Sequence, residues 1–189
     1  MCDVRTLKDS PMLGLHFWIQ RETWGYKSCV DFGSGLGAYT RSALCSEVVG
    51  IESFEPYVVR ARLLPDNSNV RFILGDMRDF ESHLGKRFEV AMFIDSLEHL
   101  GKEDALSLIA KCKDHFDKIL LFIPINENKA GNQDYYDDNP GQRHLSEWCD
   151  VELNRLGFST KVIEGFHSHL PVGCQDAAMC YWTPSSVMS

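Results

Sequence analysis

A glycine-rich turn constrains this 189-residue chain more than any other feature of its sequence. The segment 30–38 reads VDFGSGLGA and follows directly on the apolar run 28–32, which predicts a strand. Glycines at 33, 35 and 37 let the chain turn sharply and bring backbone amides close to a ligand, where a side chain would collide with it. We expect an α-helix directly after the turn, as in other nucleotide-binding units of this kind.

An acidic residue at the end of the next predicted strand adds to this pattern. That strand covers 47–52 and ends at Glu52, whose carboxylate can accept hydrogen bonds from two ribose hydroxyls. The simpler alternative is that Glu52 pairs with Arg60 or Arg62 at the edge of the sheet. The turn and the carboxylate together predict a nucleoside-binding site.

The turn by itself does not separate a nicotinamide dinucleotide from S-adenosylmethionine. The spacing from Gly33 through Gly35 to Ala38 also satisfies the dehydrogenase fingerprint in its Gly/Ala form. Asp31 lies two positions before the first glycine and could attract the ammonium group of a methionine moiety. A dinucleotide would place its pyrophosphate beside that carboxylate, so the charge favours the sulfonium donor.

Short apolar runs alternate with helical patterns along the chain, which is typical of βαβ units around a parallel sheet. The clearest helix has one apolar stripe, formed by Ala105, Leu108, Ile109, Cys112 and Phe116. Strands are predicted at 28–32, 47–52, 70–74, 88–94 and 118–123.

The last third of the chain has a different pattern. A long polar stretch at 124–144 precedes a helix that we expect to begin near Ser146 and to end at Gly157. Two further strands, 158–164 and 177–182, have no helix between them, which favours antiparallel pairing.

These elements predict an α/β fold with a Rossmann-like, mostly parallel seven-stranded sheet, helices on both faces and a C-terminal antiparallel strand. We expect a single domain over 1–189, because the length and apolar content supply one core. Its parts are an N-terminal helical segment (1–27), a donor-binding half (28–123), a substrate-side loop (124–145) and a C-terminal helix with two strands (146–189).

The composition limits which classes of partner and which cellular compartment we expect for this chain. A net charge of -8 disfavours a nucleic acid partner, and no window approaches the roughly 20 apolar residues of a membrane span. The cysteines number seven and form no C-x-x-C pair, which favours reduced thiols over a disulfide framework or structural zinc. We therefore expect a cytoplasmic protein, monomeric or homodimeric, without a membrane partner.

Four motifs occur in the order that is found in class I S-adenosylmethionine-dependent methyltransferases. They are VDFGSGLG at 30–37, GIE at 50–52, LGDMRDF at 74–80 and FEVAMFIDSLEHL at 88–100. The chain resembles this family from about Cys29 to Phe158, and within it the group of ubiquinone/menaquinone-type and small-molecule enzymes. The resemblance implies S-adenosyl-L-methionine as cofactor.

The resemblance also assigns roles along the donor site. It places Gly33 and Gly35 at the amino-acid portion of the donor, Glu52 at the ribose, Asp76 with the Met77 amide at the adenine, and Asp95 with Ser96 beside the methyl-transfer locus. Asp76 or Asp95 could instead cap a local turn. The predicted cofactor-binding residues are Asp31, Gly33, Ser34, Gly35, Glu52, Ser53, Asp76, Met77, Asp95 and Ser96.

The acceptor side is expected to come from the later loops and the N-terminal aromatic residues. We predict His144 and Asp95 as catalytic residues, and Tyr135, Tyr136, His99 and His144 as substrate-binding, although local packing is the simpler interpretation of His99 and a role at the helix start the simpler one of His144. Phe17 and Trp18 are expected to pack on the sheet. His144, His167 and His169 with Asp95 have types that suit zinc or iron, but their spacing is not compact, so no metal is expected.

The sequence therefore predicts an enzyme that transfers a methyl group from S-adenosylmethionine to an oxygen or nitrogen of a soluble small-molecule or peptide acceptor. Two alternatives stay open. One is an NAD-dependent oxidoreductase, and the other is a non-catalytic protein that keeps the donor site as a scaffold or regulatory subunit.

Overall fold

A single sheet of seven strands organises the molecule. The computed structural model describes residues 11–64, 68–125, 138–166 and 176–184. The strands lie in the order β3-β2-β1-β4-β5-β7-β6. They are β1 (Ser28–Phe32), β2 (Glu47–Glu52), β3 (Val70–Leu74), β4 (Val90–Ile94), β5 (Lys118–Ile125), β6 (Ser159–Ile163) and β7 (Asp176–Trp182).

Helices cover both faces of the sheet. Apolar residues of α1 and α2 pack with one face, and those of α3, α4 and α5 pack with the other. In the described ranges no helix is long and apolar enough to cross a membrane. The helices are α1 (Pro11–Thr23), α2 (Glu55–Leu63), α3 (Phe80–Leu84), α4 (Lys102–His115) and α5 (Asp150–Arg155).

The predicted fold class is confirmed. Strands β1 to β5 are parallel, whereas β7 pairs antiparallel with both β5 and β6. Every residue of β4 and β5 is buried, because helices cover the central strands on both sides. The apolar stripe of α4 is also confirmed, since all five of its predicted residues are buried.

The strand order reverses direction beside β1, and this fixes where a ligand can bind. The sheet grows from β1 through β2 to β3 on one side and through β4 to β5 on the other. Crossover connections therefore leave β1 and β4 towards opposite sides, which opens a crevice at their carboxyl ends. Residues that follow β1, β2 and β4 meet at this crevice.

The α-helix expected directly after the glycine-rich turn is absent from the connection between β1 and β2. Residues 33–46 contain one 3₁₀ turn, Thr40–Ser42, and no α-helix. Helix α1 occupies this side instead, and His16 Nδ1 lies 2.6 Å from Ser42 Oγ.

The predicted start of the last helix is also wrong. Helix α5 begins at Asp150, whereas Ser146 is buried, its hydroxyl accepting a hydrogen bond from Trp148 Nε1 at 2.9 Å. The Ser146 amide donates to the carbonyl of Glu98, so tertiary contacts use the groups that a helix cap would need. The stop near Gly157 is confirmed, since this residue has a φ of +84°.

We expect Gly37→Ala to lower the free energy of unfolding by about 2 to 4 kcal/mol. Gly37 has a φ of +80°, and a Cβ there would lie 2.3 Å from Cζ of the buried Phe72 ring. The change thus adds backbone strain to a steric clash. Urea denaturation measures the loss.

Gly14→Ala is the matched control for this substitution. Gly14 lies inside α1, and a Cβ at this position meets no atom within 4 Å. Alanine should therefore stabilise the helix by about 0.5 to 1 kcal/mol. Equal urea midpoints for Gly37→Ala and the unmodified protein would show that the turn at Gly37 is not under steric constraint.

Candidate functional site

A cleft opens at the carboxyl ends of β1, β2 and β4. Among the predicted residues, those that line it are Gly33, Glu52, Ser53, Asp76, Met77, Asp95, Ser96 and His99. Other lining residues are Ile51, Gly75, Arg78, Leu100, Asn139, Gly141 and Gln142. The order of the motifs along the chain thus brings most of the predicted donor site into one cleft.

Gly33 lets β1 and β4 approach closely at the floor of the cleft. Its φ is +71°, and its amide donates to the carbonyl of Ile51 at 2.8 Å. A Cβ here would lie 2.6 Å from the Cβ of Ser96 and 3.3 Å from the Cε of Met77. Only glycine fits this position without displacing its neighbours.

Glu52 joins the glycine turn to the end of β2. Its Oε2 accepts from the Gly35 amide at 2.9 Å, and its Oε1 accepts from the Phe54 amide at 2.8 Å. The residue is 7% exposed and lines the cleft. Arg62 donates to the carbonyl of Phe72, which does not support an Arg62 pair with Glu52. Because each carboxylate oxygen carries two lone pairs, Glu52 keeps capacity to accept further hydrogen bonds.

Asp31 is a buried carboxylate beside the turn. The Thr40 hydroxyl donates to its Oδ2 at 2.6 Å, while its Oδ1 has no hydrogen-bond partner among the described residues. Burial raises the pKa of Asp31 to about 7, against the opposing hydrogen bond from Thr40, and the negative charge of Glu52 raises it further. When a buried carboxylate is ionised, a nearby cation stabilises it.

Asp76 forms the local cap that was one of its two predicted roles. Its Oδ1 accepts from the Arg78 amide at 2.8 Å, and the Arg78 guanidinium contacts the same carboxylate at 2.6 Å. The hydrogen bond from the Arg78 side chain holds the pKa of Asp76 below its ordinary value. Arg78 also pairs with Asp104 on α4, so the end of β3 is tied to this helix.

Asp95 and Ser96 follow β4 directly, and Asp95 has an unusual backbone conformation. Asp95 has a φ of +48°, which is uncommon for a residue with a side chain, and its amide donates to the carbonyl of Phe122 at 2.9 Å. Ser96 is 1% exposed and takes the cap position of the next 3₁₀ turn (Leu97–His99), where it makes no side-chain cap bond. A backbone conformation like that of Asp95 is frequent at functional sites.

His144 lies next to two residues of the β4 segment that are distant in the sequence. Its ring is 5.0 Å from the ring of His99, and its Nε2 is 4.0 Å from Oε1 of the buried Glu98. Burial is the main cause that lowers the pKa of His99 to about 4, and His144 lowers it further. Since α5 begins at Asp150, His144 does not stand at a helix start.

On the acceptor side, the structure contradicts one prediction and does not describe four of the residues that the sequence indicated. Trp18 is buried as expected, but Phe17 is 61% exposed, so the expectation that both pack on the sheet is wrong for Phe17. The two lie side by side on α1, and only one can face the sheet. Tyr135, Tyr136, His167 and His169 lie outside the described residues.

Sequence reasoning missed four polar residues of this region. Arg78, Asn139 and Gln142 line the cleft, and Glu98 lies behind it with 1% exposure. Glu98 carried a signal, because it follows the apolar strand β4 closely, and a charged residue that is buried there requires a partner. Asn139 gave no signal of its own within the long polar stretch.

Comparisons with known proteins give matches to solved structures only. No model of a protein family matches the sequence, and no curated protein sequence matches it either. The small RNA methyltransferase HEN1 superposes with a TM-score of 0.65 at 16% identity, over 94% of this chain and 26% of that chain. This chain therefore spans about a quarter of the length of that structure.

Two other solved structures match over more of their length. The N-terminal domain of EvdMO1 with SAH bound gives a TM-score of 0.63 at 16% identity, over 95% of this chain and 83% of that chain. TehB from Haemophilus influenzae gives 0.67 at 12% identity, over 90% and 61%. Together with the strand order, these likenesses show that the chain has the class I S-adenosylmethionine-dependent methyltransferase fold.

Proposed function

We propose that this protein is a methyltransferase that uses S-adenosyl-L-methionine as donor and methylates an oxygen or nitrogen of a soluble small-molecule or peptide acceptor. One observation carries the proposal. Gly33 and Glu52 line the cleft at the carboxyl ends of β1 and β2, and the buried Asp31 lies on β1 two residues before Gly33, in a sheet with the class I strand order. The buried carboxylate, the close backbone approach and the second carboxylate match the three parts of the donor.

Each of the three groups has a specific part in donor binding. Asp31, with its unpaired Oδ1, would attract the ammonium group of the methionine moiety. The turn at Gly33 and Gly35 would admit the amino-acid portion, and Glu52 would accept hydrogen bonds from the ribose hydroxyls. Both carboxylates already accept hydrogen bonds from neighbouring groups, so they are held in place before the donor arrives.

The same residues argue against a dinucleotide. Dinucleotide-binding units place the pyrophosphate at the N-terminus of the helix that follows the turn. Here the connection 33–46 contains only the 3₁₀ turn Thr40–Ser42, which supplies no comparable helix end. The Asp31 carboxylate would also repel a pyrophosphate. An NAD-dependent oxidoreductase is therefore less well supported than a methyltransferase.

Asp76, Met77 and Ser53 complete the proposed donor site. Asp76 and Met77 line the cleft after β3, and Ser53 lines it after β2. Although Asp76 is paired with Arg78, its carboxylate keeps lone pairs that could accept from an adenine amino group. Ser34 lies buried beneath the turn rather than in the lining of the cleft.

The acceptor would approach from the side of β4. The donor supplies a methyl group that is already activated, so the protein has to align the acceptor atom and remove its proton. Asp95 and His99 line the cleft and can orient the acceptor, and His144 contacts His99 from behind. We place the uptake of the proton on Asp95 or His144, which are the two predicted catalytic residues.

The charge of the site favours a small acceptor over a nucleic acid. Glu52, Asp76 and Asp95 line the cleft of a chain whose net charge is -8, and a phosphate backbone would meet repulsion there. HEN1 is a small RNA methyltransferase with the same fold, so the fold alone does not decide the acceptor class. The acceptor therefore needs a test of its own.

We expect S-adenosylhomocysteine to bind more tightly than NAD and to raise the melting temperature. Only the folded protein brings the Gly33 turn and Glu52 together, so the ligand stabilises the folded state. Calorimetric titration and thermal melting measure both effects. Equal or better stabilisation by NAD would overturn the methyltransferase assignment.

The acceptor class is tested with S-adenosylmethionine that carries a labelled methyl group. The protein is incubated with separate small-molecule, peptide and RNA fractions of a cell extract. Label in the small-molecule or peptide fraction supports the proposal. Label in RNA alone would overturn the acceptor class but leave the donor assignment intact, and donor binding without transfer to any fraction would favour the non-catalytic alternative.

A further inference from the structure

We propose that Glu98, His99 and His144 form a binding site for one divalent transition-metal ion on the acceptor side of the cleft. The inference rests on the position of three ligand-bearing side chains and does not require that the chain transfers methyl groups. Only the role of the ion in that reaction depends on the proposed function.

The three side chains offer ligand atoms at a spacing close to that of a metal site. One atom from each lies within 4.8 Å of the other two, and the His144 Nε2 to Glu98 Oε1 distance is 4.0 Å. Ligand bonds of about 2.1 Å place the atoms around one ion roughly 3 to 4 Å apart. Side-chain movements of about 1 Å would therefore bring the three ligand atoms to the distances that they have around one ion.

Backbone hydrogen bonds hold the two halves of this site together. Glu98 and His99 follow β4, whereas His144 comes from the segment after β5. The amides of Leu145 and Ser146 donate to the Glu98 carbonyl at 2.8 and 3.1 Å. His99 Nδ1 lies 3.2 Å from the carbonyl of Arg143, a contact of the kind that orients histidine ligands. The fold thus holds the two backbone segments together before an ion binds.

Burial gives the cluster a reason to bind positive charge. Glu98 is 1% exposed and His144 is 7% exposed, and they lie under the lining of the cleft. A carboxylate at this depth is costly unless charge or hydrogen bonds compensate it. A divalent ion between Glu98 and the two imidazoles would supply that charge directly.

The ligand types indicate the class of metal. Two imidazoles and one carboxylate suit zinc, iron(II) and similar first-row ions, whereas magnesium and calcium prefer oxygen ligands alone. Three protein ligands leave at least one coordination position open, as in catalytic zinc sites. Because His99 lines the cleft, an acceptor oxygen could take this position. The ion would favour the deprotonated form of this oxygen, and Asp95, which also lines the cleft, would take up the proton because His144 would be a ligand.

The sequence did not lead us to expect a metal site. The residues weighed there as metal ligands were His144, His167, His169 and Asp95, whose spacing along the chain is not compact. The fold brings together a different set, in which two ligands are adjacent in sequence and the third comes from the distant segment that follows the 3₁₀ turn Pro140–Gln142. The expectation that no metal binds stays untested until binding is measured.

The test is a titration of the full chain with zinc chloride and with cobalt(II) chloride, after treatment with a chelator. We expect one equivalent of zinc to bind, measured by calorimetry, and His144→Ala and Glu98→Gln each to weaken the affinity at least tenfold. Bound cobalt should show visible absorption bands without the strong near-ultraviolet band of a thiolate ligand, which separates the site from the cysteines.

His115→Ala is the matched control, because His115 pairs with Glu81 on the surface, away from the cluster. It should bind zinc like the unmodified protein. Thermal melting shows which variants fold, and His99→Asn replaces any that does not. Absence of zinc binding, or equal binding by all folded variants, would overturn the site, while S-adenosylhomocysteine binding would still support the proposed function.

Discussion

Glu52→Ala is expected to weaken S-adenosylhomocysteine binding by about 1 to 3 kcal/mol, or roughly 5- to 150-fold in Kd. The substitution removes the carboxylate that would accept from the ribose hydroxyls. It also releases the amides of Gly35 and Phe54, so the glycine turn loses its attachment to the end of β2. Calorimetric titration measures the change in affinity.

Glu52→Gln separates ribose binding from support of the turn. The amide side chain keeps one oxygen acceptor, but its nitrogen cannot accept from either backbone amide. We expect an affinity between those of Glu52→Ala and the unmodified protein. If Glu52→Ala binds S-adenosylhomocysteine normally and only melts earlier, Glu52 supports the turn and does not hold the ribose.

The sheet could be predicted from the sequence because its signals are local. Each central strand is a short apolar run between turn residues, and β1, β2 and β3 have the predicted bounds. The donor side of the cleft follows from the same information. In a parallel sheet, residues that come directly after neighbouring strands meet at one edge, so Gly33, Glu52 and Asp76 could be placed without coordinates.

Tertiary contacts decide what the sequence could not predict. Ser146 has the type of a helix cap, but its amide and hydroxyl bind Glu98 and Trp148 instead. The pairing of Glu98 and His99 with His144 depends on the same contact between two distant segments. No periodicity or local spacing records such a contact, so the acceptor side could be predicted only in part.

The other large effect is expected at Asp31, where stability and ligand binding should change in opposite directions. Asp31→Asn should stabilise the ligand-free protein at pH 7.5 and weaken S-adenosylhomocysteine binding at least tenfold. The reason is that the buried carboxylate is unfavourable without a cation and favourable beside the ammonium group of the ligand.

The pH dependence gives this prediction its sign. The pKa of Asp31 is about 7 in the folded protein, mainly because of burial, against an ordinary value of 3.8. Between these values the folded state holds a proton that the unfolded chain has released, so the stability due to Asp31 falls as the pH rises from about 4 to 7. Asparagine does not titrate. The advantage of Asp31→Asn should therefore grow across this window, by up to about 1.4 kcal/mol per pH unit, and then level off.

Urea denaturation of both proteins from pH 4 to pH 8 measures this difference, and Asp114→Asn, at an exposed position on α4, is the matched control. Besides burial, the groups that shift the pKa of Asp31 are Thr40, which opposes the rise, and Glu52, which adds to it. If the ammonium group lies beside Asp31, S-adenosylhomocysteine should raise the melting temperature of the unmodified protein more at pH 7.5 than at pH 5, because only the ionised carboxylate attracts it. A ligand effect that is equal at both pH values, or an Asp31→Asn variant that binds normally, would mean that Asp31 supports Thr40 and the turn but does not hold the donor.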